Sequence, residues 1–123
     1  MTLKNDKYIL IVDDKKENID LLCAIFKKYG YSYLTAKSGE ESIDIIDNNG
    51  NIGLVLMDVK MKGIGGIEAM KKIKTKSDIP VIAVTGFAME SDRKELINQG
   101  FDDYISKPID IQSLNNKIDN LLY

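Results

Sequence analysis

The sequence predicts one α/β domain: a (βα)5 unit, with five parallel strands in a doubly wound sheet and helices on both faces. Two observations carry that expectation. Short apolar runs alternate with longer segments of helical period. The runs are near-continuous rather than alternating, as expected of strands buried on both faces of a parallel sheet. A third observation concerns position. Asp13-Asp14, Asp58, Thr85 and Lys107 each stand just past one of the runs. Parallel strands would bring all of them to one carboxyl edge, where open α/β sheets bind their ligands.

The elements follow in order. Strands are expected at Tyr8 to Val12, Tyr33 to Ala36 (the weakest), Gly53 to Met57, Pro80 to Thr85 and Asp103 to Ile105. The first helix, Glu17 to Tyr29, places Ile19, Leu22, Cys23, Ile25, Phe26 and Tyr29 mostly on one face, with Gly30 as its stop. Ser38-Gly39-Glu40-Glu41 reads as a capping box opening a helix through Ile43 and Ile46, ended by Asn48-Asn49-Gly50. Gly66 to Lys74 carries Ile67, Met70 and Ile73 at helical spacing. Glu90 to Gln99 differs, because only Leu96 and Ile97 are apolar and its hold on the core should be thin. The last helix, Ile111 to Leu122, offers Leu114, Ile118, Leu121 and Leu122. Residues 1–123 are expected to form this one domain, with no room for an attached output domain.

Bulk composition narrows the function classes. A chain of 123 residues buries roughly two thirds of its unfolded surface. The formal charge of −2 offers no basic excess for gripping nucleic-acid phosphates. No apolar run approaches the ~20 residues of a membrane span. Cys23 is alone, which excludes an intrachain disulfide and suits a reducing cytoplasm. The chain contains no histidine, so a triad built on His is excluded.

Asp13, Asp14 and Asp58 form the first chemical constellation. Two carboxylates about 4 Å apart repel by roughly 4 kcal/mol at an effective dielectric of 20. Three together call for a cation or a raised pKa. All-oxygen ligands suit Mg²⁺, with Mn²⁺ a substitute. Plainer roles compete. Asp14, three residues before Glu17, also reads as a helix N-cap. Thr85 alone suits a strand for steric reasons. Lys107 alone reads as a solvated surface group, and Tyr104 as core. The joint occurrence favours a site for a divalent metal and a phosphoryl group.

Taken together, Asp13-Asp14, Asp58, Thr85, Tyr104 and Lys107-Pro108 resemble the receiver domain of two-component response regulators. Leu56-Met57-Asp58-Val59-Lys60-Met61, Gly66, and Gly100 through Pro108 match in texture, and the likeness covers nearly the entire chain. Thr85-Gly86-Phe87-Ala88-Met89 looks most like stand-alone receivers and those of hybrid kinases. The resemblance implies the flavodoxin-like receiver fold and a set of roles. Asp58 would accept a phosphoryl group from a histidine of a kinase or phosphotransfer protein. Asp14 would bind Mg²⁺ directly and Asp13 mainly through water, with the Lys60 backbone carbonyl as a further ligand. Thr85 would hydrogen-bond a phosphoryl oxygen, and Lys107 would pair with Asp58 and then with the phosphate. Tyr104 would turn inward as Thr85 moves, and the Lys107–Pro108 peptide would be cis.

Three departures stand out. Lys62 occupies a position where the family usually has proline, which with Gly63, Gly65 and Gly66 suggests a more mobile loop. Gly86 replaces the usual alanine after Thr85. Phe87 borders the expected water route to the aspartyl phosphate, and its bulk is expected to slow hydrolysis. The output surface is expected on Glu90 to Gln99, Asp102 to Ile105 and the last helix, read by a downstream protein. The helix from Glu17 to Tyr29 would receive the donor. A monomer or a weak phosphorylation-dependent dimer is expected. Two other readings compete: a scaffold that works without phosphorylation, and an aspartyl-nucleophile phosphatase of the haloacid-dehalogenase type. The latter usually carries an acid two residues past the nucleophile, where this chain has Lys60.

Overall fold

The computed structural model describes residues 7–86 and 90–122. Strand and helix alternate along them. The elements are β1 (Tyr8–Val12), α1 (Lys16–Tyr29), β2 (Tyr33–Ala36), α2 (Gly39–Asn48), β3 (Ile52–Asp58), α3 (Gly65–Lys74), β4 (Val81–Thr85), α4 (Glu90–Gln99), β5 (Asp103–Ser106) and α5 (Ile111–Leu122). All strand pairings are parallel, in the order β2-β1-β3-β4-β5. Strand order reverses between β1 and β3, and a crevice opens beyond the carboxyl ends of strands at such a point.

The near-continuous apolar runs have a simple cause. Side chains alternate across a strand, and here both faces are covered. Ile9, Ile11, Leu54, Leu56, Ile82 and Val84 pack under α1 and α5 with Phe26, Leu114 and Ile118. Leu10, Val12, Val55, Met57, Val81 and Ala83 pack on the other face with Ala69, Met70, Ile73 and Leu96. The weakest expected strand, β2, lies at the sheet edge, which explains its partly exposed Tyr33, Leu34 and Thr35.

Helix ends follow from local chemistry, with two corrections. Gly30 closes α1 in the left-handed region (φ 79), as expected of a glycine stop. Ser38 Oγ accepts the Glu41 N–H at 3.0 Å and so caps α2. The Glu41 carboxylate reaches the Lys37 N–H rather than that of Ser38, so the box closes one residue early. Asp14 is not the N-cap of α1. That position falls to Lys15, whose side chain makes no cap, and Asp14 turns elsewhere. Two strand ends also shift. β3 runs from Ile52 through Asp58, and Pro80, which has no N–H, stands before β4 and contributes its carbonyl to Val55.

The expected weakness of α4 is present. Leu96 is buried, but Ile97 remains 42% exposed. No helix among the described residues is long and apolar enough to cross a membrane.

Candidate functional site

Asp13 and Asp58 are one residue beyond Val12 and Met57, which are paired in the β1–β3 register. Both continue the strand alternation on the face of Ile9, Ile11, Leu54 and Leu56. The sheet itself therefore sets two carboxylates side by side. Asp13 is 3% and Asp58 4% exposed, while Asp14 is half-buried. One oxygen from each of Asp13, Asp14 and Asp58 can be chosen so that all lie within 4.8 Å of one another. At that separation each pair repels by about 3–4 kcal/mol at an effective dielectric of 20.

One cation answers them in part. Lys107 Nζ stands 3.4 Å from Asp58 Oδ1 and 3.9 Å from Asp13 Oδ2. Its position is fixed from the backbone, where the Lys107 N–H donates to the Thr85 carbonyl at 2.8 Å. The Lys107–Pro108 peptide is cis, as expected. Burial raises the Asp58 pKa and the Asp13 charge raises it further, while Lys107 and the Lys60 N–H pull it down. The balance is upward, with burial as the largest cause.

The remaining oxygens are sorted by their partners. Asp13 Oδ1 accepts the Lys15 N–H at 2.9 Å. Asp14 Oδ2 accepts the Lys62 N–H at 3.1 Å, and Asp14 Oδ1 is buried without a hydrogen-bond partner among the described residues. An orphaned carboxylate oxygen beside two further carboxylates is what a hard divalent cation would satisfy. The residues present fit such an ion.

Thr85 ends β4, 3% exposed and in register with Ser106. Val59 donates its N–H to the Val84 carbonyl at 3.1 Å, which ties the start of the loop after Asp58 to β4. Lys60 is exposed, and its N–H is the group that reaches the Asp58 carboxylate. Tyr104 packs against the core cluster on the face of Leu10, Val12 and Met57. It is half-buried, with the Arg93 guanidinium 5.0 Å and Lys117 Nζ 5.2 Å from its ring. Lys117 also pairs with Asp103 at 3.0 Å. Phe87, expected to border the water route, lies outside the described residues.

Sequence reasoning missed two features of the segment after Asp58. Gly66 is a packing residue rather than a source of loop freedom. Any Cβ there would fall 2.2 Å from the Asp58 carbonyl oxygen, and the Gly66 N–H donates to Val59 at 3.0 Å. Nor did the sequence show that the Lys62 backbone reaches Asp14, since main-chain contacts carry no side-chain signature. A cleft of about 570 Å³ opens at the amino edge of the sheet near Asp47, Lys76 and Pro80. Lys76 and Asp47 pair there at 3.0 Å. The chemistry belongs to the acidic edge.

The family model of the response regulator receiver domain matches residues 9–119. The response regulator SaeR of Staphylococcus aureus is 34% identical over 116 residues, covering 94% of this chain and 50% of SaeR. The chain thus spans about half the length of the curated relatives it matches. Among solved structures, one similar chain comes from the co-crystal of the Saccharomyces cerevisiae histidine phosphotransfer signaling protein Ypd1 and the receiver domain of its downstream response regulator Ssk1. It aligns with a TM-score of 0.87 at 27% identity, over 95% of this chain and 89% of that one. A CheY-like response regulator receiver domain protein from Methanospirillum hungatei gives a TM-score of 0.84 at 33% identity, over 96% and 94%.

Proposed function

This chain belongs to the response regulator receiver domain family, and from that premise we propose that it is a phosphoacceptor whose Asp58 takes a phosphoryl group from a partner's phosphohistidine. The observation that carries the reading is the pocket itself: a buried Asp58 beside Asp13, Asp14 and Lys107, with one Asp14 oxygen left for a cation. The donor is a histidine kinase or a histidine phosphotransfer protein, the donor class of the receiver family, and these 123 residues contain no histidine. The co-crystal of the Ssk1 receiver with Ypd1 supports a donor of that kind.

In the transfer, an Asp58 carboxylate oxygen attacks phosphorus and forms the new P–O bond. The P–N bond breaks, and its electron pair leaves with the imidazole, which takes up a proton. Asp13, Asp14, Asp58 and the Lys60 carbonyl would hold Mg²⁺, which supplies positive charge against the phosphoryl oxygens. Lys107 moves its ammonium from Asp58 to the phosphate, and Thr85 donates its hydroxyl to a phosphoryl oxygen. Catalysis of this kind is positioning and charge compensation. The protein is a stoichiometric acceptor in the cytoplasm rather than a multiple-turnover enzyme.

Output follows from the α4–β5 side. Thr85 and Tyr104 share one face of neighbouring strands, since Ala83 pairs with Tyr104. A shift of Thr85 toward phosphate frees space for the Tyr104 ring, and a cavity of about 340 Å³ already borders that ring between Arg93 and Lys117. A downstream protein reads α4, β5 and α5 in the altered state, and any dimer is weak and depends on phosphorylation.

Intact-mass spectrometry after incubation with Mg²⁺ and acetyl phosphate tests the reading. One added phosphoryl group is expected, absent with a chelator and absent in Asp58→Asn. An unmodified mass, with or without Mg²⁺, would favour the scaffold. Unlimited release of free phosphate would favour the phosphatase.

A further inference from the structure

We infer that the main-chain N–H of Lys62 is a positioning group for Asp14, tying the β3–α3 loop to the metal pocket. The inference rests on the metal-dependent reading above.

The two residues are 48 apart in sequence, yet the Lys62 N–H donates to Asp14 Oδ2 at 3.1 Å. The other oxygen of the same carboxylate, Oδ1, is buried and has no hydrogen-bond partner among the described residues. One oxygen is therefore held and the other is left for a cation. Hydrogen bonds to a ligating carboxylate fix its orientation, and their loss typically weakens metal affinity by about 10–100-fold.

The loop is shaped to deliver that N–H. Gly63 and Gly65 take φ values of 82 and 76, a region that side chains with Cβ avoid. A Cβ on Gly63 would also approach a Glu40 carboxylate oxygen to 2.9 Å. The far end is fixed by Gly66, seated against the Asp58 carbonyl. The loop leaves β3 after Asp58 and enters α3 at Gly65, and Lys62 links its middle to Asp14.

Residue type decides the matter. Proline has no N–H and makes no such bond. Lysine at this position supplies the donor through its backbone, while its side chain is exposed. The departure from the family pattern at 62 thus adds a restraint on Asp14. Because coupling is reciprocal, Mg²⁺ occupancy and order in this loop strengthen each other.

Calorimetric titration of the full chain with Mg²⁺ tests this, with Lys62→Pro and Lys62→Ala compared to the unchanged protein. Lys62→Ala keeps the N–H and removes an exposed positive charge, so it should bind Mg²⁺ at least as well. Lys62→Pro should bind about tenfold more weakly. Unchanged affinity in Lys62→Pro, or an equal loss in Lys62→Ala, would overturn the inference alone. A protein with no Mg²⁺ affinity at all would overturn the metal reading with it. Proline can disturb folding, so amide exchange supplies a second arm. The Lys62 amide should be protected in the metal-free protein and exchange faster in Asp14→Ala. An unprotected Lys62 amide in the unchanged protein would overturn the inference and leave the metal reading standing.

Discussion

The acidic edge between β1 and β3 and the α4–β5 face belong to one sheet but are held by different forces. Behind Asp13 and Asp58 lie fully buried Ile11, Leu56 and Met57, with Phe26 at 0% exposure in α1. The α4 helix contributes Leu96, while Ile97 faces solvent. Its neighbour Tyr104 is only partly buried against the core and is flanked by two cations. Apolar burial fixes a group in one place, whereas a half-exposed ring between charged side chains has alternatives within a few kcal/mol. On the proposed reading, the phosphoacceptor site sits on the first kind of support and the output surface on the second.

The contrast can be broken by truncation. Phe26→Ala should cost about 3–5 kcal/mol and Leu96→Ala about 2 kcal/mol in urea unfolding. Equal losses would mean that α4 is anchored as firmly as α1. A smaller effect of opposite sign is expected at the pocket. Burial and the Asp13 charge raise the Asp58 pKa above its ordinary value. For a carboxyl raised in the folded state, stability is full below the unfolded pKa and falls as pH rises through the folded one. The metal-free protein should therefore lose stability as pH climbs out of the carboxylate range. Asp58→Asn should flatten that fall and melt higher than the unchanged protein at neutral pH in chelator. A lower melting temperature would show that Lys107 outweighs burial and repulsion. The smallest effect belongs to the ring. Arg93→Ala should cost about 0.5–1 kcal/mol and speed amide exchange at Tyr104 without changing exchange in β1. A loss near that of Phe26→Ala would place Arg93 among the structural supports.

Most of the fold was legible because each buried strand declares itself by an apolar run and each helix by its period. The acidic pocket was legible for a related reason: charged residues just past apolar runs have few places to go but the sheet edge. Three things were not. Asp14 looked like a helix cap because its sequence neighbours allowed it, and only the fold brings Lys62 within reach. Gly66 looked like loop freedom, yet its lack of a Cβ serves a close approach to the Asp58 carbonyl. Tyr104 read as core and does pack against it, but the two cations flanking its ring come from α4 and α5, 11 and 13 residues away. Each miss is a contact made by tertiary placement, and two of the three involve backbone atoms that every residue shares.

The most direct measurement is amide hydrogen exchange across the whole chain, with and without acetyl phosphate and Mg²⁺, beside Asp58→Asn. Phosphorylation should change exchange in α4 and β5 and leave the cores of β1 and β3 as they were, with no change anywhere in Asp58→Asn. An unaltered α4–β5 face in a protein that carries the phosphoryl group would contradict the account, as would a change of equal size along every strand.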